Sequence, residues 1–306
     1  MNPQLIQDFL QAEQLPHAYG EDAQQWFVPL AAGLIERCNS ANNEALFIGI
    51  NGAQGTGKTT LCRFLSHCCR EEGLRVVELS IDDFYLPHAA RQTLAKEVHP
   101  LLATRGVPGT HDTCALHECL NRLLDPEAAA AVSIPRFDKA TDNPQPKQNW
   151  SLVQGPVDLV ILEGWFIGVD PEAEDNLSGP INELEAESDP SGSWRRFVNA
   201  ALAADYAPLF ARMDMMVMLQ APSFEQVYAW RGLQEEKLRQ SRQEAAGSDL
   251  SGIMNREQLS RFIQHFERLT RHSLATLPAS ADLVFRLNEN HRVVAQLDKS
   301  GASRAE

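Results

Sequence analysis

The stretch with the sharpest chemical meaning is Gly52-Ala53-Gln54-Gly55-Thr56-Gly57-Lys58-Thr59, directly after the apolar run Ala45-Leu46-Phe47-Ile48-Gly49-Ile50. It satisfies G-x-x-x-x-G-K-[ST] in the strand-to-helix context that this signature requires. Glycines reach backbone conformations closed to other residues, so successive N–H groups can turn inward around phosphate oxygens. The N-terminus of the following helix adds positive potential. On this pattern Lys58 reaches the β- and γ-phosphates of a nucleotide, Thr59 places its hydroxyl on Mg²⁺, and Thr60 completes the nucleotide-binding set. A Gly-rich turn between a buried strand and a helix would need neither the lysine nor the hydroxyl after it.

Other candidates stand beyond apolar strands, where open α/β sheets place their ligands. Leu74 to Ile81 reads as a buried parallel strand, and Asp82-Asp83-Phe84-Tyr85 follows it. One of the two acids can do chemistry while the other caps a turn, and spacing alone does not choose between them. Val157 to Gly164 is a further strand closing on Glu163, the pattern in which an acid orients Mg²⁺, although a strand-end acid can also be a turn residue. Glu97 to Asp112 is a Gly- and Pro-rich stretch with Arg105 and His111 near its tip, and Asp112 is placed to N-cap a helix from Thr113. Arg136 and Lys139 follow a short strand around Val132 to Pro135. A long helix from Ser223 brings Arg231, Arg239 and Arg242 near one face. They can lace an exposed helix with salt bridges to Glu225, Glu235 and Glu236, or form a lid that closes over phosphate.

The elements that must hold these groups form one α/β domain. The 306 residues suit a single large core with a helical appendage, and a hydrophobic fraction of 43% is ordinary for a globular chain. Residues 1–44 predict a helical cap, with Leu5, Ile6, Phe9 and Leu10 on one stripe and Trp26, Phe27, Leu30, Leu34 and Ile35 on another. Residues 45–299 form the main domain. Within it, residues 169–193 are acidic and predict a solvated excursion, residues 223–277 form the lid and C-terminal helices, and residues 244–255 predict a mobile turn. Residues 300–306 read as a frayed tail, and no internal repeat is present.

The net charge of −14 argues against a nucleic-acid-binding surface, which needs clustered Lys and Arg. No apolar run approaches the roughly 20 residues that span a bilayer. Met1 to Tyr19 lacks the basic and apolar regions of a signal peptide, so the expected location is cytoplasmic. The six cysteines show no zinc spacing, and Cys62, Cys68 and Cys69 fall on the expected buried side of the helix after the loop.

A phosphate cradle, Asp82, Glu163 and arginines on one helix together describe phosphoryl transfer from ATP, with Mg²⁺, to a small-molecule acceptor. The sequence carries no N-K-x-D guanine signature, and Glu163-Gly164 does not sit in a D-x-x-G switch, which argues against a GTPase. The charge and length conflict with a helicase. A module that binds ATP without transferring phosphate is the rival from another class.

The P-loop, Leu79-Ser80-Ile81-Asp82-Asp83-Phe84-Tyr85 and Glu163-Gly164 resemble the P-loop small-molecule kinases that include uridine kinase, phosphoribulokinase and bacterial pantothenate kinase. Residues Glu97 to Asp112, Ile134 to Lys139, Leu162 to Gly168 and Ala229 to Glu235 resemble most closely the D-glycerate 3-kinases of plant and fungal type and their bacterial relatives. The resemblance covers about residues 45–290 and implies a parallel sheet of order 2-3-1-4-5. It implies that Asp82 orients the acceptor, with Asp83 departing from the Ser or Gly common in the cousins, and it favours the lid reading of Arg231, which follows Trp230. Gly232, costly in a helix by about 1 kcal/mol, suits a hinge there. D-glycerate is the acceptor so implied, with pantothenate- or nucleoside-like molecules as alternatives. Its carboxylate would need a cation, and Arg105, His111, Arg136 and Lys139 are the candidates, with Tyr85 beside them.

Overall fold

The apolar runs form the parallel core of one sheet because both of its faces are covered. A computed structural model describes residues 3–41, 44–127, 130–244, 256–299 and 303–305. The parallel strands are β1 (Leu46–Gly52), β2 (Val76–Ser80), β3 (Leu159–Gly164), β4 (Met215–Gln220) and β5 (Leu283–Leu287). Antiparallel β6 (Val293–Asp298) and β7 (Ser303–Ala305) extend the β5 edge. The order across the sheet is β2-β3-β1-β4-β5-β6-β7, which sets Glu163 on the strand beside the P-loop strand.

The pleat sorts the side chains. Ile48, Ile50, Leu159, Ile161, Val217 and Leu219 face one core, shared with the helix Lys58–Glu71 and the N-terminal helices. Phe47, Val160, Leu162, Met216 and Met218 face the other, shared with the helices Thr113–Leu123 and Ser193–Ala201 and with Phe266 and Leu269. Each such side chain contributes about 1.5–3 kcal/mol on burial. The N-terminal segment forms Pro3–Ala12, His17–Asp22 and Val28–Ser40, the last two joined by a π-turn. Phe9 packs edge-on against Phe64 of the P-loop helix, with ring centroids 5.2 Å apart. Among the described residues no helix is long and apolar enough to cross a membrane.

Two expectations are corrected. The solvated reading of residues 169–193 holds for Asp170, Glu174, Asp175, Glu183 and Glu187, which are exposed, but not for Glu185 and Asp189, which are fully buried. Arg268 takes Glu185 through two hydrogen bonds of 2.7 Å, and Asp189 accepts from the Arg195 guanidinium and from the backbone N–H groups of Trp194 and Arg195. Buried charges persist when paired and hydrogen-bonded in this way. Residues 303–305 are a strand rather than a frayed end, pairing with Ala295–Leu297, and Arg304 lies over the Trp26 ring at 5.9 Å. The expected turn at residues 244–255 lies, beyond Glu244, outside the described residues.

Candidate active site

At the carboxyl end of β1 the P-loop backbone turns into the helix that begins at Lys58. Gly55 has φ +86° and lies against the buried Trp230, where a Cβ would come within 2.9 Å of that residue's own Cβ. The helix Phe224–Glu244 therefore backs the loop directly. The Thr59 hydroxyl is 3.3 Å from Glu163 Oε1, and Lys58 Nζ is 3.9 Å from Glu163 Oε2. Glu163 is buried, and Oε2 has no hydrogen-bond partner among the described residues. A hydroxyl beside an unsatisfied carboxylate oxygen is a donor set that fits Mg²⁺, which prefers oxygen ligands and keeps part of its water.

The two adjacent acids diverge. Asp82 lines the cavity above the P-loop, accepting from the Tyr85 hydroxyl at 2.7 Å and from Lys139 Nζ at 2.6 Å. Burial pushes its pKa up, but the charges of Lys139 and Lys58 and the hydrogen bonds from Lys139 and Tyr85 outweigh this and hold it below the ordinary carboxylate value. Asp83 instead accepts from Arg136 at 2.8 Å and from the Phe137 backbone N–H at 3.1 Å, fixing the strand-end segment that carries Lys139. Neither Asp83 nor Arg136 lines the cavity.

Arg105 reaches the cavity and is held by Asp142, which also receives His88 and Arg91. The loop that carries it is tightly fixed. Gly106, at φ +130°, lies against Phe266, and its carbonyl accepts from Trp165 Nε1 at 3.0 Å. His111 is not among the lining residues. It is buried behind Tyr85, with ring centroids 4.7 Å apart, and shares a 2.8 Å hydrogen bond with the Tyr206 hydroxyl. Burial pushes its pKa down to about 3, only partly offset by the charge of Asp82, so the ring is neutral at pH 7. Asp112 accepts from the Ala115 N–H and caps its helix as expected.

Two helices cover the remaining side, Phe224–Glu244 and Arg256–Thr276. Arg231 lines the cavity while paired with the buried Glu235 one turn on. The helix runs through Gly232 without a break. Arg239 lies on the same helix, but its side chain is outside the described residues. Trp165, Phe262 and Phe266 complete the walls of a cavity of about 490 Å³.

No family model matches the sequence. An uncharacterized kinase of Schizosaccharomyces pombe, mug58, is 33% identical over 240 residues, covering 76% of this chain and 82% of the relative. The chain belongs to the D-glycerate 3-kinase-like P-loop kinases. The chloroplastic D-glycerate 3-kinase of Arabidopsis thaliana is 28% identical over 241 residues, covering 76% of this chain and 49% of that enzyme, so the chain spans about half its length. A solved structure of D-glycerate 3-kinase from Cryptococcus neoformans superposes with a TM-score of 0.70 at 26% identity, covering 90% of this chain and 98% of the other.

In this kinase a second cavity, of about 310 Å³, opens on the other side of the P-loop. Gly57 and Thr60 line both cavities, and Leu15, Tyr19 and Phe27 of the N-terminal segment close the second against Asn290 and His291 in the turn between β5 and β6. Sequence reasoning missed Asp142, Phe262 and Phe266. The two phenylalanines sit on a stripe that reads as core, and Asp142 belongs to no motif.

Proposed function

We propose that this kinase transfers the γ-phosphoryl group of ATP to a hydroxyl of a small acid, D-glycerate foremost. The observation that carries this reading is the convergence of Lys58, Thr59 and Asp82, with the cations Lys139, Arg105 and Arg231, on one cavity, with Glu163 behind Thr59 at 3.3 Å. The triphosphate lies along the P-loop N–H groups and Lys58, and the mainly apolar second cavity takes the base. Thr59 and Glu163 would hold Mg²⁺, which would supply neutralising charge to the transferring phosphate. Asp82 orients the acceptor hydroxyl and takes its proton late, as a loose transition state allows. Arg231, turned from Glu235 toward the phosphoryl group, would stabilise its charge with Arg239 as the helix pair closes over it as a lid. The D-glycerate assignment draws on the plant and Cryptococcus relatives, each a D-glycerate 3-kinase by name.

The test is ADP release with ATP and Mg²⁺ across D-glycerate, L-glycerate, pantothenate and uridine, with Lys58→Ala as the blank. Stimulation by D-glycerate alone is the expected result. Asp82→Asn should lower it by about 10²–10⁴-fold, and Asp83→Asn, which loosens the Arg136 segment, by much less. Stimulation by uridine alone would discard the acid, and ATP binding with no stimulation by any acceptor would leave a nucleotide-sensing module.

A further inference from the structure

Resting on the small-acid reading above, we propose that Lys139 is a specificity latch that occupies Asp82 until an anionic acceptor draws it away, so that acids are phosphorylated in preference to neutral alcohols and water.

The cations around the cavity are parked differently. Arg105 rests on Asp142, Arg136 on Asp83 and Arg231 on Glu235, each a carboxylate that does not face the acceptor in the proposed reaction. Lys58 stands near Glu163. Lys139 alone among these rests on Asp82, the carboxylate that the chemistry needs. Both oxygens of Asp82 are engaged, Oδ1 by Tyr85 and Oδ2 by Lys139.

The two donors differ in their freedom to leave. Tyr85 is buried, its ring set between His111 and Phe137 at centroid distances of 4.7 and 5.2 Å. The Lys139 side chain is 60% exposed, on a flexible stem at the end of Phe137–Asp138, which pairs with Asn143–Pro144. The ammonium end of the pair is open to solvent, so an arriving carboxylate can reach it and compete with Asp82 for it.

When the acid's carboxylate takes Lys139, its hydroxyl can donate to the vacated Oδ2. The acceptor oxygen then bonds to the γ-phosphorus as the bond to the β,γ-bridging oxygen breaks. ADP leaves with that electron pair, and the hydroxyl proton passes to Asp82. Water or glycerol brings no carboxylate to displace the lysine, so each meets Asp82 with Oδ2 still held.

The experiment measures ADP release by the full chain with no acceptor, with glycerol and with D-glycerate, comparing wild type, Lys139→Met and Lys139→Arg. For Lys139→Met, kcat/KM for D-glycerate should fall about tenfold or more, chiefly through KM. Acceptor-free and glycerol-stimulated release should both rise severalfold, and Lys139→Arg should keep the preference for the acid. A parallel fall in all three activities, or an unchanged acid-to-glycerol ratio, overturns the latch. A wild type that no acid stimulates overturns the small-acid reading instead. Acceptor-free release then still decides the latch, because no rise in Lys139→Met above wild type counts against it.

Discussion

Two arginines and a histidine converge on Asp142, and its charge state is therefore coupled to folding. Burial opposes its ionisation, but hydrogen bonds from Arg91, His88 and Arg105 and the charge of Arg91 hold its pKa down to about 2, against an ordinary 3.8. A depressed folded-state pKa contributes stability that is fully present above the unfolded value and lost as pH falls through the folded one, here between 3.8 and about 2. Asp142→Asn should lower the unfolding free energy by about 2 kcal/mol at pH 7. Urea titrations at pH 7 and pH 3 test this, with roughly half of the gap expected to remain at the lower pH. A gap independent of pH would assign the loss to packing. At this scale the P-loop and the strand-end acids stood out because motif spacing ties residue type to backbone position, but spacing did not choose between Asp82 and Asp83. Arg105, His111, Arg136 and Lys139 looked alike in the sequence. What separates them is the partner each meets, and those partners lie up to 95 residues away, as His111 and Tyr206 do.

Strands and helices were legible wherever periodicity marks a buried face, and illegible where polar pairing replaces it. Glu183–Ser188 reads as solvated by composition, yet Glu185 is buried on Arg268, which also donates to the carbonyls of Asn176 and Gly179 at 2.9 and 2.7 Å. This contact ties the acidic segment to the helix Arg256–Thr276, which carries Phe262 and Phe266 into the cavity wall. Arg268→Met should cost about 3–5 kcal/mol, because it strands a buried carboxylate. Adding Glu185→Leu should restore much of that loss, since an apolar pair needs no counter-charge. Thermal unfolding of the single and double variants measures both effects. A double variant as unstable as the sum of its parts would show that the carbonyl contacts, and not the ion pair, hold the segment.

Across the whole molecule, the P-loop lines two cavities, and the walls of the second come from opposite ends of the chain. Leu15, Tyr19 and Phe27 meet Asn290 and His291 around the second cavity, and Arg292 pairs with Glu21 and Asp22 beside it. No local pattern announces that contact, because two segments more than 260 residues apart in the sequence form it only after the sheet has assembled. A nucleotide with its phosphates on the loop and its base in this cavity would join the N-terminal helices to the β5–β6 turn, and binding to the folded state alone stabilises whatever the ligand spans. Hydrogen exchange measures that span. ATP with Mg²⁺ should slow exchange in residues 15–27, 53–61 and 288–293 together, by up to about 2.7 kcal/mol at one hundred times its Kd. Inorganic triphosphate, which lacks the base, should slow only 53–61, and Lys58→Ala should lose protection in all three segments at the same ATP concentration. Protection of the P-loop by ATP with the two terminal segments unmoved would place the base elsewhere and leave the N-terminal helices a purely structural layer.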